Sequence, residues 1–229
     1  MRAFFVTATG TDIGKTFVTA GLVRLLREDG ERAAALKPIV SGFAMARAGE
    51  SDPGILLAAL GEAMTSEAVA RISPWRFSAP LSPDMAAARE GRAIDFGELV
   101  AFCRAGMAHA AGPLFIEGVG GVMVPLDDHH TVLDWMEALG LPIILVAGSY
   151  LGTFSHTLTA LEAIVRRRLK LAALVVNDSG DGAVPLDETI ATLARFAATA
   201  PIVALRRAKD EADIRAGFAA LWHVLEAGR

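Results

Sequence analysis

The chain has 229 residues, of which 53% are hydrophobic and 21% charged, and its formal net charge is −4. That apolar content is ample for a large core, while scattered lysines and arginines without a basic stripe exclude nucleic acid as the main partner. The single cysteine, Cys103, excludes an internal disulfide and fits a reducing cytoplasm.

The opening MRAFFVTATG holds only a brief apolar run that leads straight into a glycine turn, so it reads as a first strand over residues 3–7 and not as a signal peptide. An amphipathic helix over 17–27 and a strand over 33–36 follow. The interval 41–95 is richer in Pro and Gly, and is expected to carry one helix near 53–60 plus irregular, substrate-facing loops. A helix over 96–110 places Cys103 in an apolar stretch, where a core role is expected of it. A strand is expected over 114–116. Residues 139–161 contain no charge, yet they hold Pro142, Gly148, Ser149, Gly152, Ser155 and His156. A buried strand over 143–146, a turn and a helix over 153–167 explain them better than a membrane span. Arg166, Arg167 and Arg168 close that helix, where cations complement its dipole. Strands over 171–176 and 202–205 and helices over 186–197 and 211–225 complete the alternation.

Such alternation predicts an α/β fold: a doubly wound, mostly parallel sheet with helices on both faces. With no repeat, linker or composition break, residues 1–229 read as a single domain. Ligands of such sheets bind at the carboxyl ends of the strands, where the polar residues below mostly fall.

The first strand runs into TATGTDIGKTF. Gly14-Lys15-Thr16 at a helix start is a phosphate-binding arrangement: backbone N–H groups and the helix dipole face the anion, Lys15 adds a point charge, and the Thr16 hydroxyl can ligate Mg2+. Thr9 stands where the usual pattern begins with glycine, with Gly10 beside it. In PLFIEGVGG a buried strand ends in Glu117, followed by Gly118, Val119 and Gly120. An acid there suits Mg2+, held directly or through water. Asp52 offers a third oxygen, but Ser51-Asp52-Pro53 reads equally well as a helix cap followed by proline at the first helical position. His129 and His130 are adjacent and should point apart, as in a solvated loop. Lys37, in ALKPIVSG, follows a strand and should emerge beside the phosphate loop. Taken alone, it would be a solvated charge.

The motifs VTATGTDIGKT, LKPIVSG, SPDMAAAREGR, IEGVGG, LPIILVAGSYLGTFSH and LVVND occur in the order and spacing of the dethiobiotin synthetases, which the chain resembles through at least Asp178. That resemblance implies a P-loop NTPase-like fold and an ATP-dependent ring closure in biotin biosynthesis, with ATP and CO2 as co-substrates of 7,8-diaminononanoate. It implies catalytic Lys15 and Lys37; Thr16, Asp52 and Glu117 around Mg2+; and nucleotide contacts from Asp12 through Phe17 (Ile13 included), from Gly118 to Gly120, and from Asn177 and Asp178. On the residues alone, Asn177 and Asp178 also read as an Asx turn after a strand. Thr11, Ser41, Pro80, Leu81, Ser82 and Gly118 are implied at the substrate, together with Leu151, Gly152 and Thr153, which in similar enzymes serve the neighbouring subunit of a homodimer. Gly152 and Thr153 open a helix whose free N–H groups suit a carboxylate. Arg206 and Arg207 stand where the family often has a Gly-x-Ile-Pro-like turn, and are left out of the site.

Three other readings compete. ParA/MinD-like switch ATPases resemble this loop but carry a signature lysine where Gly10 stands, and this chain lacks their basic or membrane-binding surfaces. Amidating ligases related to cobyrinate diamide synthases usually add a glutamine-hydrolysing domain, for which no room remains after residue 205. A plain small-molecule kinase would leave a stable phosphorylated product.

Overall fold

A computed structural model describes residues 2–180, 184–197 and 200–228. Six strands form one parallel sheet: β1 (Ala3–Ala8), β2 (Ala34–Leu36), β5 (Leu114–Glu117), β6 (Ile143–Gly148), β7 (Leu171–Asn177) and β8 (Ile202–Leu205), in the order β2-β5-β1-β6-β7-β8. The central strands β1 and β6 are buried along their whole length, which is why they read as unbroken apolar runs. In register, Ala3 lies opposite Leu114 of β5 and Phe5 opposite Ile143 of β6.

The chain moves one way along the sheet from β1 to β2 through α1 (Lys15–Glu28), and the other way afterwards. Right-handed crossovers then put α1 on one face and α5 (Phe96–His109), α6 (Val132–Leu139), α7 (Thr153–Arg166) and α8 (Leu186–Phe196) on the other. The last helix, α9 (Glu211–Ala227), returns to lie beside α1. Core packing is dense and specific: Phe5 meets Trp135 edge-on at 4.9 Å, and Phe4 stacks on Phe115 at 5.8 Å. The doubly wound fold expected from sequence is therefore present, with helices on both faces.

The interval 41–95 departs from expectation. Besides α2 (Asp52–Leu60), it contains α3 (Ser66–Ile72), α4 (Pro83–Arg89) and β4 (Trp75–Phe77), which pairs in parallel with β3 (Ile39–Ser41) at its start to form a second, two-stranded sheet. Three-residue strands carry no measurable period, so the sequence pattern could not reveal them. Helix α6 was also missed, although Thr131 and Asp134 form a capping box at its start. Residues 139–161 form β6, a turn and part of α7, and no helix among the described residues is long and apolar enough to cross a membrane. Cys103 is fully buried, and burial pushes its thiol up to about 12.

Candidate active site

The loop between β1 and α1 takes a shape that only particular residues permit. Asp12 (φ 59°) and Gly14 (φ 102°) are both left-handed, and a Cβ at Gly14 would lie 2.4 Å from the Asn177 Nδ2 atom. Helix α1 starts at Lys15, two residues earlier than expected, and Gly14 gives it no side-chain cap. Its first N–H groups are thereby left to face an anion. The Lys15 ammonium is buried and donates to the carbonyls of Gly10 (2.9 Å) and Gly120 (2.7 Å), tying this loop to the one after β5. The two loops touch closely, since a Cβ at Gly121 would stand 3.3 Å from the Thr9 carbonyl. Burial, and then the charge of Lys37, lower the Lys15 pKa to about 8 against the pull of Glu117, Asp52 and Asp12.

Beside that loop the structure brings together four groups far apart in sequence. Lys37 leaves the end of β2 but is not solvated as its sequence context alone suggests: it is 2% exposed. Its ammonium lies 2.7 Å from Glu117 Oε1 and 2.7 Å from Asp52 Oδ2, and donates to the Gly118 carbonyl at 2.8 Å. Burial works against its charge, but Glu117 and Asp52 outweigh burial and hold the ammonium above the ordinary lysine range. The Thr16 hydroxyl faces two acceptors with one proton, Asp52 Oδ1 at 2.9 Å and Glu117 Oε1 at 2.7 Å. Asp52 is spared the capping role, because Ser51 is the N-cap of α2 and its Oγ accepts from the Gly54 N–H. Burial would raise the Asp52 carboxyl, yet Lys37, Thr16 and Lys15 hold it below the usual carboxylate range.

This cluster opens into a cavity of about 880 Å3. Thr11, Asp12, Gly14, Lys15, Thr16, Lys37, Ser41, Asp52, Pro80, Leu81, Val119 and Gly120 all line it, as expected. Ser82 lines it too, as expected, whereas sequence reading missed Val40, Gly42, Glu50, Ser51, Pro83 and Val124. Nearness in sequence to Ser41, Asp52 and Ser82 was a signal for all of these but Val124. The small β3–β4 sheet brings these segments together: the Gly42 N–H donates to the Ala79 carbonyl and that of Phe43 to Phe77. Ser41 Oγ is buried and finds no hydrogen-bond partner among the described residues.

The remaining expected residues lie outside the cavity lining. Glu117 is buried beneath it and Gly118 supports Lys37. Ile13 accepts a hydrogen bond from the Asn177 amide at 3.3 Å, so Asn177 sits against the phosphate loop. Phe17 is turned away, onto Phe218 at 5.3 Å. Asp178 closes an Asx turn, its carboxylate accepting from the N–H groups of Gly180 and, across the loop, Arg207. Arg206 pairs with Asp187 in solvent. Leu151, Gly152 and Thr153 start α7 away from this cavity: Leu151 is 87% exposed, while Thr153 is buried and donates to the Gly148 carbonyl. His130 stacks flat on Phe96 at 3.9 Å and hydrogen-bonds Asp127.

The oxygen set of Thr16, Asp52 and Glu117 fits Mg2+, which is usually held by one or two carboxylates plus phosphates. Glu117 Oε2 is buried with no partner among the described residues, so this carboxylate carries negative charge that a cation is suited to match. Among the described residues no group of three His, Cys, Asp or Glu side chains is placed to hold a metal ion by itself.

A glycine-bearing loop from β1 into α1, a buried lysine in it and a carboxylate at the end of β5 define a P-loop NTPase-like nucleotide-binding fold. Solved structures agree at the level of fold. The cell division ATPase MinD of Pyrococcus furiosus superposes with a TM-score of 0.57 at 15% identity, over 99% of both chains. A ParA family ATPase from Chlorobium tepidum does so with 0.52 at 14%, over 99% of this chain and 91% of its own. The family model described as AAA domain matches residues 2–206. Sequence relatives are more particular. The ATP-dependent dethiobiotin synthetase of Acidiphilium cryptum is 54% identical over 88% of this chain and 91% of its own. That of Phenylobacterium zucineum is 47% identical over 90% and 89%, and that of Anaeromyxobacter dehalogenans 42% over 99% and 98%. The chain belongs to the ATP-dependent dethiobiotin synthetase family, ligases that form carbon–nitrogen bonds.

Proposed function

We propose that this chain closes the ureido ring of dethiobiotin as one domain, using the cavity at the strand ends. One amine of 7,8-diaminononanoate takes up CO2 as a carbamate. A carbamate oxygen accepts the γ-phosphoryl group of ATP, releasing ADP, and the second amine then attacks the carbamoyl carbon and expels phosphate. The observation that carries this reading is the convergence of Lys15 and Lys37 on a single cavity that the apolar Val40, Pro80 and Leu81 also line. Two cations suit two mutually repelling anions, the carbamate and the γ-phosphoryl group, while the apolar residues suit the hydrocarbon part of the diamine.

Thr16, Asp52 and Glu117 would hold Mg2+, which when bound neutralises phosphate charge. The N–H groups opening α1 cradle the phosphates, and Asn177 and Asp178 read the base. Thr11, Ser41, Pro80 and Leu81 position the diamine and its carbamate. Leu151, Gly152 and Thr153 serve the site of a second copy in a homodimer. In support, Leu151 projects an apolar side chain into solvent and α7 begins with uncapped N–H groups behind a left-handed Gly152. A cytoplasmic setting matches a single cysteine locked in the core.

The test supplies Mg-ATP, bicarbonate and the diamine and follows products by mass spectrometry. Dethiobiotin should appear in step with ADP and vanish without the diamine. ADP released without dethiobiotin would refute the reading and leave a nucleotide switch of the MinD or ParA kind.

A further inference from the structure

The ammonium of Lys37 sits on carboxylate oxygens that a divalent cation would also draw on. It sits 2.7 Å from Glu117 Oε1 and 2.7 Å from Asp52 Oδ2, while the Thr16 hydroxyl spends its proton on those same two carboxylates. A metal held by the Thr16 hydroxyl together with the two carboxylate oxygens that face it, Glu117 Oε1 and Asp52 Oδ1, takes Oε1 from the ammonium and turns the Thr16 lone pairs toward itself. Two cations cannot share so few oxygens at bonding distance, because their repulsion in this buried setting is strong. Lys37 has somewhere to go, since its side chain already borders the cavity.

We infer that Lys37 and the divalent cation exchange places: the lysine holds the carboxylates together until the metal enters, and metal entry releases its ammonium into the cavity toward the carbamate. This rests on reading Thr16, Asp52 and Glu117 as the metal ligands. It makes Lys37 a residue that reaches its substrate only after the metal has loaded, so that charge is delivered in order. Lys15 does not share this behaviour, because its ammonium is held by the carbonyls of Gly10 and Gly120 and not by the carboxylates.

The test uses the full-length protein without nucleotide and Mn2+ as the probe, followed by electron paramagnetic resonance. Lys37→Met should bind Mn2+ at least about ten-fold more tightly than wild type. Lys15→Met, which removes an equal charge from the same cavity, should give a clearly smaller gain. Equal gains, or no gain from Lys37→Met, would overturn the exchange, and Lys37→Gln serves if the methionine variant does not fold. Wild-type protein gives an independent measurement: Mn2+ should raise acetylation of Lys37 by acetic anhydride several-fold, read by peptide mass spectrometry, with exposed Lys209 unchanged as reference. Mn2+ that binds without altering Lys37 acetylation would overturn the inference. Dethiobiotin formation is scored separately, so a failure of the proposed activity leaves these readouts intact.

Discussion

Replacing Lys37 by methionine removes one charge from a place where charges are tightly matched. The new side chain has similar length, so little volume changes, but Glu117 stays fully buried; among the described residues Oε2 then lacks a partner and Oε1 keeps only the Thr16 hydroxyl. Leaving one member of a buried ion pair uncompensated costs roughly 3–5 kcal/mol. Asp52 adds little, since its carboxylate is partly exposed and water takes over its solvation. Total stabilities of about 5–15 kcal/mol mean that the variant should still fold. With a urea dependence of about 2–3 kcal/mol per molar, its unfolding midpoint should fall by about 1–2 M. The double variant Lys37→Met with Glu117→Gln contains no orphaned charge and should recover at least roughly 2 kcal/mol. Urea titrations monitored by circular dichroism on the four proteins of this cycle decide the matter. A single-variant loss below about 1 kcal/mol, or strictly additive losses, would refute the claim that Lys37 and Glu117 compensate each other.

Three further outcomes are expected. Gly14→Ala should cost about 1–2 kcal/mol for a left-handed alanine, and its methyl group should push the Asn177 amide off Ile13 and weaken nucleotide binding. Gly10→Ala meets nothing closer than 3.7 Å and should be mild, so equal effects on melting temperature and nucleotide affinity would sink this account of the loop. Lys15 titrates at about 8 in the folded chain against 10.5 ordinarily, so between those values the unfolded chain binds more protons. Stability should therefore rise with pH across that window, the full cost of burying the charge being present below it. Phosphates favour the ammonium, so nucleotide binding just above pH 8 should take up a proton. Calorimetry in buffers of different ionisation enthalpy measures that uptake, and its absence would contradict the lowered pKa. Leu151→Asp should yield a monomer by sedimentation with an unchanged unfolding midpoint, because the native side chain is 87% exposed within one copy. A variant that sediments like wild type would remove Leu151 from the proposed dimer contact.

By itself the sequence determined the local and the periodic. Runs such as FFVTA and IILVAG read as strands buried on both faces, and the stretch from Gly10 to Thr16 read as a loop opening a helix toward an anion. Because parallel strands end on one side of the sheet, the placement of Lys37, Glu117 and Asn177 at that edge followed from the same pattern. What the pattern could not carry is pairing. Lys37 and Glu117 stand 80 residues apart, and no local signal separates a lysine buried on a carboxylate from one in water. Asp52 was legible both as a cap and as a ligand, and tertiary structure removed the first reading, since Ser51 caps α2 and Lys37 arrives from β2 to meet the freed carboxylate. The far wall of the cavity had the same origin, since β3 and β4 are three residues each and gain their shape from one another. Periodicity records which face of an element is buried, whereas the meeting of charges across the fold depends on loop closure and desolvation, which act only once the chain is folded.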